Sequence, residues 1–396
     1  MLRKFKMLFS GESGSGILLL LAALLALIFE NLGFLTHLYD NFIHLQITIG
    51  VGSLKLDEPL HFWVNDALMA IFFFSVGLEL KREMIEGQLR HISQVLLPTF
   101  AALGGVVLPA IIFYLFNHND PFAIRGWAIP TATDIAFAVG VLALLGRRIP
   151  ISLKLFILTL AIMDDLAAIV IIALFYSTTL NFVFLGLAAL GLFVLSMMNK
   201  FGVEKKLFFV IIIILVWIFV LHSGIHASIA GVATAFTIPL HTKSGGSMTR
   251  EFENLLGNFV SYIILPLFAF VNAGVSLKGM NLEYLFGPVP LGIICALFFG
   301  KQIGIFLFSY IAIKFKFAYM PEKATWLQLY AVAIICGIGF TMSLFVNALA
   351  YNNSDVFHHT DKLAILIGSL ISGFVGYFVA KFASRKKDDE LKISKV

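Results

Sequence analysis

Twelve apolar runs punctuate the chain, centred near residues 23, 71, 105, 135, 164, 190, 213, 231, 264, 301, 338 and 372. A helix needs about 20 apolar residues to cross the hydrocarbon core of a bilayer. Inside lipid every backbone polar group must be paired within the protein, so such runs fold as helices. The eighth run is the shortest. Composition agrees with this reading, since 60% of the 396 residues are hydrophobic and only 13% are charged. A soluble domain carries about 25% charged residues. Nothing marks a soluble domain boundary, so residues 1–396 are expected to form one membrane domain of twelve spans.

The basic residues test that count. With the N-terminus inside, 23 of the 28 Lys and Arg fall on inside segments. Lys55, Arg125, Lys278 and Lys362 fall outside, and Lys301 lies within a span. Such a bias supports both the span count and a cytoplasmic placement of the two termini. Six of the inside residues lie from Lys381 onward, mostly in a charged tail over 382–396. The net charge of +5 is therefore spread over short loops, and no nucleic-acid partner is expected. Arg3, Lys4 and Lys6 precede the first run, an arrangement shared with signal peptides. However, Glu30-Asn31-Leu32-Gly33 is a poor cleavage site. The run reads as a first spanning helix, with Ser13 or Ser15 as its cap. Cys295 and Cys336 lack Cys or His at metal-ligand spacing and read as core residues; no cofactor is expected.

One outside loop differs from the rest. Residues 46–56 alternate apolar and polar side chains around Gly50 and Gly52, the pattern of a β-hairpin. A lone hairpin is marginal in water. It is expected to lie on its own protein's surface or to pair with a second copy.

The fifth run carries Asp164 and Asp165 near its middle. A charge there costs roughly 2.5–3.5 kcal/mol on insertion scales, and two adjacent carboxylates resist ionising together. Neighbours on a helix point about 100° apart, so the two acids face different surroundings. The pair reads as a cation or proton site, the alternative being acids that only fix helix packing. The fourth run, around Pro130-Thr131-Ala132-Thr133-Asp134, and the eleventh, Cys336-Gly337-Ile338-Gly339, both read as interrupted helices. A matched pair of breaks points to a transporter's site. Segments 3–5 and 10–12 are expected to form an inverted-topology repeat, with the two broken helices crossing at the midplane. Asp134 would offset the positive end of the second half-helix. Lys301 would offset the opposing negative ends or pair with Asp164, as a structural counter-charge or as a proton carrier. Thr133 adds a hydroxyl to the two carboxylates, an oxygen-rich set suited to Na⁺.

The motifs Thr-Ala-Thr-Asp-Ile-Ala-Phe-Ala (131–138), Met-Asp-Asp-Leu (163–166) and His-Ser-Gly-Ile-His-Ala (222–227) are similar to those of NhaA-type sodium/proton antiporters. So are Leu-Pro-Leu-Phe-Ala-Phe-Val-Asn-Ala-Gly (265–274), Gly300-Lys301 and Cys336 to Ser343. The resemblance runs essentially end to end, and this family is itself a known example of the inverted repeat. It implies a multi-pass protein of the bacterial inner membrane that moves two protons against one Na⁺ or Li⁺, electrogenically and under pH control. It implies that Asp164 and Asp165 are the essential acids, that Thr133 joins the ion site, and that Asp134 and Lys301 balance charge at the crossing. It also implies a pH-responsive group at Glu79, Arg82, Glu83 and Glu253, with His226 at a further pH-linked position. By themselves Glu79, Arg82 and Glu83 form an ordinary charged helix end, and His226 a packed histidine.

The alternative within transport is a proton-coupled carrier for another monovalent cation such as K⁺. An intramembrane aspartyl protease also uses two buried acids, but on two helices and typically within Gly-x-Gly-Asp, a motif this chain lacks. A passive channel gives no reason for buried Asp and Lys together.

Overall fold

The computed structural model describes residues 12–51, 54–90, 92–177, 180–278, 280, 282–351 and 356–393. The basic start at Arg3, Lys4 and Lys6, the Gly52–Ser53 bend and the last three residues of the tail lie outside them. In chain order come α1 (Glu12–Asn31), α2 (Gly33–Ile43), strands β1 (Gln46–Val51) and β2 (Leu54–Pro59), and α3 (Leu60–Ile85). Then follow α4 (Ile92–Asn117), a 3-10 helix (Ala123–Thr131), α5 (Ile135–Leu145), α6 (Ile151–Phe175), α7 (Phe182–Phe201), α8 (Lys206–Ser223) and α9 (Ser228–Ala235). The chain continues through α10 (Met248–Asn272), α11 (Pro288–Lys314), α12 (Trp326–Ile335), α13 (Phe340–Tyr351) and α14 (Thr360–Ile393).

Among the described residues, ten helices are long and apolar enough to cross a membrane, and α12 with α13, bent by 45°, makes an eleventh. The eighth expected segment is the exception. It is α9, eight residues and about 12 Å long, too short for a core of about 30 Å. Beyond it the backbone turns irregular, and the buried Lys81 amine donates to the freed carbonyls of Phe236 (2.8 Å) and Ile238. Buried irregular backbone needs such a partner. Ser13 and Ser15 both lie inside α1, so neither caps it.

Two compact units divide the chain. The first holds Met1–Asn31, His91–Ala168 and Ala273–Val396; the second holds Leu32–Arg90 and Ile169–Asn272. Expected segments 3–5 and 10–12 thus fall in one unit, apart from the last turns of α6. Here α4 and α11 pack through glycines. A Cβ on Gly304 would lie 2.1 Å from the Gly104 carbonyl oxygen. Small residues of this kind let membrane helices approach closely.

In the second unit, β1 and β2 pair antiparallel from Gln46↔Pro59 to Val51↔Leu54. The hairpin runs further than expected, because Trp63 Nε1 at the start of α3 donates to the carbonyls of Ile47 (3.1 Å) and Glu58 (3.2 Å). Ile49 stays 55% exposed. In the same unit, Asn65 and Asn272 exchange amide hydrogen bonds across α3 and α10.

Candidate functional site

The two broken helices of the first unit meet at their breaks. Ala132 is extended (φ −83°, ψ 151°), and Asp134 leaves helical geometry before α5 begins. In the other helix α12 stops at Ile335 and α13 starts at Phe340. The gaps bond to each other. The Asp134 N–H donates to the Ile338 carbonyl (2.7 Å), and Thr133 Oγ1 lies 3.0 Å from the Cys336 carbonyl. Each break thereby satisfies backbone groups that the other frees.

The ends of the half-helices carry partial charge. Asp134 answers two of them. Its Oδ1 accepts from the Phe137 N–H at 2.9 Å, capping α5. Its Oδ2 accepts from the Thr341 N–H (3.1 Å) and the Thr341 hydroxyl, at the start of α13. Ser369 Oγ on α14 accepts from the N–H groups of Gly339 (3.2 Å) and Phe340 (3.0 Å). No motif pointed to Ser369, because a helix-start partner distant in sequence leaves no local signal.

Asp164 on α6 reaches this crossing. Its Oδ2 lies 2.7 Å from Thr133 Oγ1 and 2.6 Å from Lys301 Nζ. Both side chains of the Asp164–Lys301 pair are fully buried. Of the two places open to Lys301 in the sequence, the structure shows the one beside Asp164. The residues just before it, Ala296–Gly300, form a π-turn, a local underwinding frequent at functional positions. Asp165 is buried beside Asp164, 1% exposed. Oδ1 of Asp164 has no hydrogen-bond partner among the described residues. Carboxylate, hydroxyl and carbonyl oxygens thus converge beside the Lys301 ammonium within one buried region. Such a donor set suits a hard monovalent cation or protons.

The remaining expected residues lie in the second unit. Arg82 bridges Glu83 (2.7 Å) and Glu253 (3.0 Å), and Glu79 lies within electrostatic reach of all three. Glu86 pairs with Arg250 (2.8 Å) and His241 (3.1 Å). His226 is not part of this group. It faces Asp66 at 3.8 Å, thirteen residues before Glu79 on α3, or about 20 Å along a helix.

The family model described as Na⁺/H⁺ antiporter 1 matches residues 6–380. The chain belongs to this family. A protein named Na(+)/H(+) antiporter NhaA 1 from Campylobacter hominis is 65% identical over 387 residues, 98% of each chain. The Na(+)/H(+) antiporter NhaA 2 of Campylobacter fetus is 55% identical over 384 residues, 96% of this chain and 97% of its own. A Pseudomonas putida relative, Na(+)/H(+) antiporter NhaA 1, is 50% identical over 384 residues, 96% of each. Membership of the antiporter family makes the chain a multi-pass membrane transporter.

Proposed function

We propose that this protein exports cytoplasmic Na⁺, or Li⁺ in its place, in exchange for external H⁺, across a bacterial inner membrane. Both termini face the cytoplasm in this reading. The observation that carries it is the buried Asp164 carboxylate held between Thr133 and Lys301 at the crossing. Asp164 and Asp165 take up Na⁺ and protons in turn, and Thr133 supplies a further oxygen.

Thr133 has one hydroxyl hydrogen and two acceptors within reach, the Asp164 carboxylate and the Cys336 carbonyl. With Asp164 ionised, the hydroxyl donates to it. The Cys336 carbonyl is then released to face a cation. With Asp164 protonated, the acid donates to Thr133 and the hydroxyl turns to Cys336. The proton state of Asp164 therefore sets how many oxygens the site offers. Lys301 neutralises Asp164 when no cation is bound, and Na⁺ entry displaces the ammonium from Oδ2.

Two carboxylates carry two protons one way and one Na⁺ the other, so each cycle moves net charge. The Glu79, Arg82, Glu83 and Glu253 group, with His226 apart from it, adds pH control. The hairpin at 46–56 presents an exposed strand edge, and such edges pair with other strands; a second copy is the proposed partner. Lipid covers the exposed apolar helix faces.

Purified protein in vesicles with an imposed pH gradient tests this. Na⁺ and Li⁺ should each collapse the gradient and K⁺ should not. With no pH gradient, exchange should still respond to an imposed membrane potential. Gradient collapse by K⁺, or indifference to potential, would contradict the assignment of cation or of stoichiometry.

A further inference from the structure

The first unit buries one more carboxylate that the exchange chemistry above leaves unused. Asp361, in the first turn of α14, is 3% exposed. Its Oδ2 accepts from Asn347 Nδ2 on α13 at 2.7 Å. No ion pair holds it among the described residues, whereas Lys301 clamps Asp164. An amide partner suits both proton states. Its N–H₂ donates to a carboxylate, and its carbonyl, after a half-turn of the amide, accepts from a carboxylic acid. Asp361 can therefore gain and lose a proton without losing its partner. Asn347 Oδ1, buried with Asp361, has no hydrogen-bond partner of its own among the described residues.

Ser343, Asn347 and Tyr351 are four residues apart and share one face of α13. All three are buried. Ser343 Oγ donates to the Ile129 carbonyl (2.7 Å), and Tyr351 Oη to the Ala123 carbonyl (2.8 Å). Ser343 also abuts the break, since a Cβ on Gly339 would lie 2.1 Å from its Oγ. This polar line covers about 12 Å of helix, from the crossing to the end of α13. There a cavity of about 350 Å³ is lined by Asn117, Asp120, Ala123, Glu283, His358 and Thr360. Thr360 adjoins Asp361, and Ala123 receives the Tyr351 bond. The buried Asn117 Oδ1 also lacks a partner among the described residues. Tyr284, stacked on His358 with ring centres 5.1 Å apart, also lines the cavity, and His359 and Lys362 lie close to Asp361 in sequence. With cytoplasmic termini, this end of the unit is the outer one.

We infer that Asp361 is an outer proton relay, taking a proton from water in the cavity and giving it to water that carries it past the polar face of α13 to the crossing. The relay rests on the exchanger reading above. A proton from outer water converts the carboxylate to the acid, and the Asn347 amide turns to accept from it. When the acid gives that proton to a water molecule on its inner side, the carboxylate and the original hydrogen bond return, the hydronium so formed carries the proton on to the crossing, and Asp361 ends each cycle unchanged. Without this group the crossing is supplied by bulk protons alone, and the same rate requires a more acidic outer face.

Right-side-out and everted vesicles from cells lacking other Na⁺/H⁺ exchangers expose the outer and inner faces to the bath in turn. In Asp361→Asn, the dependence of exchange on bath pH should shift about one unit acidic in right-side-out vesicles, a tenfold loss of effective proton supply. The everted profile should stay in place. Asp361→Glu should restore the outer profile. Asn347→Ala leaves the carboxylate intact, should shift the outer profile in the same direction, and serves where Asp361→Asn does not fold. Equal shifts on both faces, an unshifted outer profile in a folded variant, or no rescue by glutamate would overturn the relay. An unmodified protein that does not exchange Na⁺ for H⁺ would remove the reading beneath it. Normal exchange with an unshifted outer profile would remove the relay alone.

Discussion

At the scale of single residues, the site turns on how few groups balance its charge. Asp164 has one ammonium and one hydroxyl at Oδ2, and all three groups are buried. Asp164→Asn and Asp165→Asn should each abolish exchange while leaving a folded membrane protein, because an amide keeps the shape but neither releases a proton nor balances Na⁺. Na⁺-driven proton flux at the normal rate in either variant would contradict this. Lys301 has a structural share as well. Removing one partner of a buried ion pair costs about 3–5 kcal/mol, while removing both costs much less. Lys301→Met should therefore lower the melting temperature markedly, and Lys301→Met with Asp164→Asn should recover most of the loss. Additive effects in thermal unfolding would show that the two residues do not depend on each other.

At the scale of elements, helix ends and breaks carry the function. Glu253 on α10 holds Arg82 on α3, so the pair links two helices of the second unit. Glu253→Gln should move the pH at which exchange switches on by something on the order of one unit, yet leave Na⁺ affinity at high pH nearly unchanged. An unmoved activation curve would remove the gate and leave simple competition between ions. Both breaks were legible in the sequence, because Pro130 removes a helix hydrogen bond and the glycines at 337 and 339 weaken a helix, although α4 runs unbroken through Pro98 and Pro109. Asp134 as a cap was legible too, since a carboxylate before an apolar run is a local signal. The partners were not. Thr341 for Asp134, Ser369 for α13 and Asn347 for Asp361 lie 14 to more than 200 residues away in sequence from the groups they serve. The π-turn before Lys301 has no residue signature at all. Hydropathy extended the eighth run beyond its helix, because apolar character does not reveal that Lys81 ties down the end of α9.

At the scale of the whole molecule, the long apolar helices and the bias of basic residues to one side made the membrane fold legible from composition and spacing alone. In the proposed exchange two ions share one pair of carboxylates. Protons at low pH then exclude Na⁺, and raising the pH frees the carboxylates, so binding of Na⁺ must strengthen as protons leave. Equilibrium binding of radioactive Na⁺ to the purified, unmodified protein across a range of pH measures this sharing most directly. The apparent affinity should rise with pH by up to about tenfold per unit for each competing proton, then level off once the carboxylates are free. An affinity that does not change with pH would contradict a shared site.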